Sequence, residues 1–149
     1  MVEQTTSSIT VNATPSEVMA VVADFKAYPE WTGAVKEAEV LSCYPDGRAA
    51  EVRFVVDAGA IKDQYTLAYE WDDDLQARWH LVSGQMLTSL EGSYILAGTE
   101  NGATHVTYQL AVDVKIPMIG MIKRKAAKVI IDTALNELKK RVETKKPAE

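Results

Sequence analysis

Cysteine is all but missing from this chain. Cys43 is the single one among 149 residues, which excludes an internal disulfide and any cysteine-rich metal site. Histidine is nearly as scarce, with only His80 and His105. The sequence has no Gly-x-Ser-x-Gly elbow, no His-Glu-x-x-His, no phosphate-binding glycine loop and no dinucleotide fingerprint. These absences argue against a hydrolase nucleophile, a transition-metal centre and a nucleotide cofactor, and no cofactor of any kind is expected. Long apolar runs are missing too. The longest, Val18 to Ala23, falls far short of a bilayer span. The opening residues, MVEQTTSSITVNA, have neither a basic region nor an apolar one, so a secretory signal is not expected and a cytoplasmic location is. An excess of positive charge is also lacking. The net charge of −5 favours solubility and argues against nucleic acid as a partner, because phosphates reward a basic face.

What is present has the balance of a globular domain: 47% hydrophobic and 25% charged residues, enough to bury a core at this length. No repeat, low-complexity block or linker divides the chain. Residues 1–149 are therefore expected to form one domain, ordered over about 5–143, with a frayed tail from Thr144.

Local patterns then order the elements. Ser8 to Val11 alternates polar and apolar and predicts a first strand. Thr14-Pro15-Ser16-Glu17 predicts a helix start, with Thr14 as N-cap, Pro15 at the first helical position and Glu17 closing a capping box. Phe25 to Trp31 reads as a second short helical segment. From Ala34 to Ile116 the period becomes two, punctuated by turn signals at Pro45-Asp46-Gly47, Ala58-Gly59-Ala60, Asp72-Asp73-Asp74, Ser83-Gly84 and Asn101-Gly102. Five turns divide this stretch into six strands, and connections so short force antiparallel neighbours. From about Ile119 to Glu143 helical spacing returns, with an apolar stripe through Ile122, Ala126, Val129, Ile130, Thr133, Leu138 and Val142, widened by Ile131 and Leu135. A helix of that length, roughly 37 Å, could lie obliquely across the whole sheet. The predicted class is α+β: a curved seven-stranded antiparallel sheet gripping a long C-terminal helix, with two short helices after the first strand.

This order, together with Ala13-Thr14-Pro15-Ser16-Glu17-Val18, Asp24-Phe25, Tyr28-Pro29-Glu30-Trp31, Tyr65-Thr66-Leu67, Trp79-His80-Leu81, Gly92-Ser93-Tyr94 and Thr104-His105-Val106-Thr107-Tyr108, resembles the START-like, or Bet v 1-like, helix-grip superfamily. Within it the chain is similar to the bacterial polyketide cyclase/dehydrase and lipid-transport (SRPBCC) proteins. These are packing and turn residues, so they specify a fold better than an activity. The resemblance implies a cavity between sheet and helix that accepts a lipid, sterol, quinone or polyketide.

Strand parity assigns side chains to that cavity. Phe54, Tyr65, Tyr69, Trp79, Met86, Thr88, Tyr94 and Tyr108 are expected to face it from the sheet, and Ile122, Ala126, Val129, Ile130 and Thr133 from the helix. Four tyrosines on one concave face suggest a cavity with scattered polar anchors rather than a filled core, because a buried hydroxyl needs a partner. Both histidines alternate outward, as do Glu51, Glu70 and Glu91, so no catalytic residue and no interior carboxylate pair is expected. A separate feature is the apolar segment containing Met118 and Met121, followed by Lys123, Arg124 and Lys125. It reads as a capped end of the core beside a solvated basic face, or as a contact for an anionic membrane surface or an acidic ligand. Three functions fit the whole: a carrier of a hydrophobic small molecule, a cyclase/dehydrase-type enzyme, or a regulatory, toxin-like interaction protein. Parity favours the first.

Overall fold

In chain order the elements are β1 (Gln4–Val11), α1 (Pro15–Ala23), a single 3-10 turn (Phe25–Ala27), α2 (Tyr28–Trp31), β2 (Val35–Cys43), β3 (Ala49–Asp57), β4 (Lys62–Asp72), β5 (Gln76–Gly84), β6 (Leu87–Gly98), β7 (Thr104–Val114) and α3 (Gly120–Lys145). The structure, a computed structural model, describes residues 4–57, 62–114 and 120–145, with backbone alone at 114, 120–124, 126 and 145. The expected turn at Ala58-Gly59-Ala60 lies outside the described residues. The first strand starts four residues earlier than the alternation suggested.

The seven strands form one sheet in the order β1-β7-β6-β5-β4-β3-β2, and every neighbouring pair is antiparallel. Strands β2 to β7 are a simple meander. The two helices then carry the chain from β1 at one edge to β2 at the other. Helix α1 begins as its sequence dictates: the Thr14 hydroxyl accepts from the Glu17 N–H and the Glu17 carboxylate accepts from the Thr14 N–H, so two otherwise orphaned donors are satisfied.

Helix α3 corrects one expectation. Its principal strand neighbours are β1 and β7, with α1 and α2 beside it, rather than the whole width of the sheet. Side-chain bridges fix that path: the Ser7 hydroxyl donates to Asp132 at 2.8 Å, Lys139 to the Thr10 carbonyl at 2.7 Å, and the Asn12 N–H to Glu143 at 2.8 Å. The buried stripe is accordingly Ala127, Ile131, Leu135, Leu138 and Val142. Val129 is 57% exposed and Thr133 is exposed. Both belong to the neighbouring ridge, not to the packed seam.

A second correction falls on β6. The pairing with β7 slips between Leu87 and Ser89, and the bulge inserts one residue and reverses the side-chain parity before it. Leu87 and Leu90 therefore point inward, Thr88 is exposed, and Met86 sits in the bend between β5 and β6. Farther along, Gly92 is opposite Trp79. A Cβ there would lie 2.5 Å from the indole, so only glycine lets that ring lie flat on the strand.

Candidate functional site

Helix α3 covers β1 and β7 but leaves β3 to β6 partly uncovered, and between them lies a partly open cavity of about 410 Å³. That volume falls within the range of small-molecule sites. Strand residues form its floor. Phe54, Tyr65, Tyr69, Trp79, Tyr94 and Tyr108 all line it, along with Leu67, Leu87, Leu90, Leu110 and Val112. One rim is the α3 ridge of Val129, Ile130, Thr133, Ala134 and Glu137, and the other is the α2–β2 junction, Tyr28 and Trp31 to Ala34. The two rims meet where the Gly33 N–H donates to Glu137 Oε2 at 3.3 Å.

The register explains why the aromatic rings gather. Phe54 pairs with Tyr65, Tyr69 with Trp79, and Tyr94 with Tyr108. Their centroids are 5.7, 5.5 and 4.7 Å apart, the spacing of tilted aromatic contacts. The chain of rings continues through Trp79 to Tyr94 and Tyr108.

Polar groups in this wall divide into two sets. The Tyr28 hydroxyl donates to the Val22 carbonyl. No such partner is found among the described residues for the hydroxyls of Tyr65, Tyr69, Tyr94 and Tyr108, which border the open volume. Trp31 Nε1 is buried without a hydrogen-bond partner among those residues. Burial, first of all, holds these phenols protonated. The pKa values of Tyr65, Tyr69, Tyr94 and Tyr108 all rise above the usual 10.0, and for Tyr94 the nearby phenols of Tyr108 and Tyr28 and the Glu137 carboxylate add to the effect. The wall therefore presents neutral O–H groups that can donate or accept.

Of the residues expected to face a ligand, Phe54, Tyr65, Tyr69, Trp79, Tyr94, Tyr108, Val129, Ile130 and Thr133 border this one volume. Met86 and Thr88 do not, because of the bulge. The side chains of Ile122 and Ala126 lie outside the described residues, as do those of Met118, Met121, Lys123 and Arg124; Lys125 is exposed. Parity missed Tyr28, Trp31, Gly33, Leu87 and Glu137. No carboxylate pair was expected in the interior, but two single acids approach it. Glu137 is on the rim. Asp63 is buried at 6% exposure, where it accepts from the N–H groups of Gln64, Gln85 and Leu87 at 2.7, 3.0 and 3.0 Å. Those bonds hold the β5–β6 bend and make Asp63 a structural acceptor. His80 and His105 are exposed, as parity predicted. Among the described residues no group of metal-ligating side chains is found, and no helix is long and apolar enough to cross a membrane.

A curved antiparallel sheet, a C-terminal helix along one side and an aromatic cavity between them define the START-like helix-grip class. The model of the family described as polyketide cyclase/dehydrase and lipid transport matches residues 11–139, and the chain belongs to that family. A START superfamily protein from Mycobacterium smegmatis is 25% identical, with a TM-score of 0.89 over 95% of this chain and 97% of that one. The protein TTHA0849 from Thermus thermophilus is 22% identical (TM-score 0.80, covering 97% and 100%). The Zhui aromatase/cyclase from Streptomyces sp. R1128 is 14% identical, with a TM-score of 0.81 over 99% and 98%; at that identity the likeness is one of fold. No curated protein matches the sequence.

Proposed function

We propose that this protein binds a hydrophobic small molecule in the cavity between α3 and strands β3 to β7. One observation carries the reading: four phenols border a single volume of about 410 Å³ with no partner for their hydroxyls among the described residues. Hydroxyls that open onto such a volume take their partners from whatever fills it, water or ligand, so a wall of this kind is suited to contents that offer scattered polar contacts within an apolar envelope. Family membership supports the same reading. Native mass spectrometry of freshly purified protein, followed by solvent extraction, tests it. A co-purifying apolar compound, or saturable uptake of an added one, is expected. A protein that stays ligand-free against every apolar compound offered would refute the proposal.

A second reading, a cyclase/dehydrase-type enzyme, is favoured by Glu137. Its carboxylate and the neighbouring phenols supply a proton acceptor and donors around one volume. If the extracted compound is turned over, Glu137→Gln should abolish turnover while leaving the compound bound. Binding without turnover by the wild type would leave the carrier reading alone.

A further inference from the structure

We infer that this cavity selects a neutral ligand carrying a hydrogen-bond donor, which it presents to Glu137, and that it rejects carboxylates and other anions. The inference rests on the binding reading above and sharpens it. Among the described residues the cavity lining contains two carboxylates, Asp57 and Glu137, and no lysine, arginine or histidine. The described cations nearest to it meet it only at its edge or not at all, and each is already committed. Lys36 donates to the Gly33 carbonyl at 2.9 Å, Arg141, one turn beyond Glu137, pairs with Glu30 at 3.0 Å, and Lys62 lies 4.0 Å from Asp57. An anion entering here would lose its water and meet the Glu137 charge, with no uncommitted cation among the described lining residues to compensate.

The two carboxylates differ in availability. Asp57 is exposed and has Lys62 beside it. Glu137 is half-buried, and the only described donor to its carboxylate is the Gly33 N–H on Oε2. Oε1 is therefore left to accept from whatever enters. Glu137 also ends a ridge whose polarity changes along its length: Val129 and Ile130, then Thr133 a turn later, then the carboxylate another turn on. A ligand lying along this ridge would place its apolar part against Val129 and Ile130 and its donor at Glu137. Protonated phenols opposite can donate to a hydroxyl or carbonyl oxygen of the same ligand. They could also solvate a carboxylate, which would still feel the Glu137 charge in the same lining.

Calorimetric titration with naphthalene, β-naphthol and β-naphthoate at neutral pH tests this. The wild type should bind β-naphthol about tenfold more tightly than β-naphthoate, the ratio set by one close unfavourable charge contact in a partly screened site. In Glu137→Gln the gap should shrink to about threefold, mostly through tighter β-naphthoate binding. Thr133→Lys, which leaves Glu137 in place, should also recruit β-naphthoate, and it keeps the test open if Glu137→Gln fails to fold. Equal or tighter binding of β-naphthoate by the wild type would overturn the inference and leave the binding reading standing. So would a gap unchanged in a Glu137→Gln protein with the wild-type melting temperature. If none of the three compounds binds, the binding reading fails and the inference falls with it.

Discussion

The two sides of the space beneath α3 are built differently. Toward β1 and α1 the interior is aliphatic: Val11, Val18, Met19, Val22, Val106, Ile131 and Leu138 are all completely buried. Branched and flexible side chains interdigitate to the density of a crystal. Toward β3 to β7 the same sheet presents Phe54, Tyr65, Tyr69, Trp79, Tyr94 and Tyr108 around open volume. Rings are broad and stiff, and a curved wall of them spans a space that it cannot fill. This protein therefore separates its tasks by residue type. The aliphatic side supplies close packing, and the aromatic side supplies a shaped cavity with polar handles.

The largest effect that could break this contrast is an alkaline one. Five phenols, the buried Tyr28, Tyr69, Tyr94 and Tyr108 and the half-buried Tyr65, have pKa values raised above the usual 10.0, in each case chiefly by desolvation. Above that pH the unfolded chain has lost phenolic protons that the folded chain retains. Stability is thus fully present below pH 10.0 and falls as the pH rises toward the folded-state values. Urea unfolding at stepped alkaline pH should show a steep decline, with tyrosinate absorbance appearing together with unfolding. Tyrosinate that forms in the still-folded protein would mean that the rings are freely hydrated.

Cutting into the aliphatic side should cost nearly as much. Leu138→Ala is expected to lose about 2–5 kcal/mol in chemical denaturation, because the packed surroundings cannot collapse onto the gap. Gly92→Ala comes next, at about 1–3 kcal/mol, since the new methyl group would strike the Trp79 indole. The smallest effect compares two hydroxyls. Tyr28→Phe removes one that donates to Val22 and should cost about 1 kcal/mol, whereas Tyr108→Phe removes one without a described partner and should be nearly neutral. Equal losses in that pair would erase the proposed distinction between packed and open sides.

The sequence carried the fold in its punctuation. The Thr14 capping box and the turns at Pro45-Asp46-Gly47, Asp72-Asp73-Asp74 and Asn101-Gly102 fall between the predicted elements, because each relies on chemistry local to a few residues. Strand parity gave the aromatic floor for the same reason. It failed at Met86 and Thr88, where a bulge that no turn residue announces reverses the faces. The helix stripe was only half legible. Ile131, Leu135, Leu138 and Val142 are buried, but which flank of that stripe meets the sheet depends on the tertiary path of α3 along β1. Glu137 lies one turn beyond Thr133 and could have been found by extending the ridge past its apolar members. Nothing local signals that Trp31 would bury its N–H without a partner, or that Gly33 would meet Glu137.

Ala134 offers the most direct test of the claim that this side is open. It lines the cavity and packs partly against the core, as close to a neutral probe of free volume as the helix provides. Binding of N-phenylnaphthylamine, followed by its fluorescence, should be compared in the wild type and in Ala134→Phe, alongside their melting temperatures. The account predicts saturable binding by the wild type and its loss in the variant. The melting temperature should change little, because the ring enters existing space and helix propensity falls by only about 0.5 kcal/mol. A filled interior would give the reverse: no saturable binding by the wild type, and a variant destabilised by overpacking by about 1–3 kcal/mol.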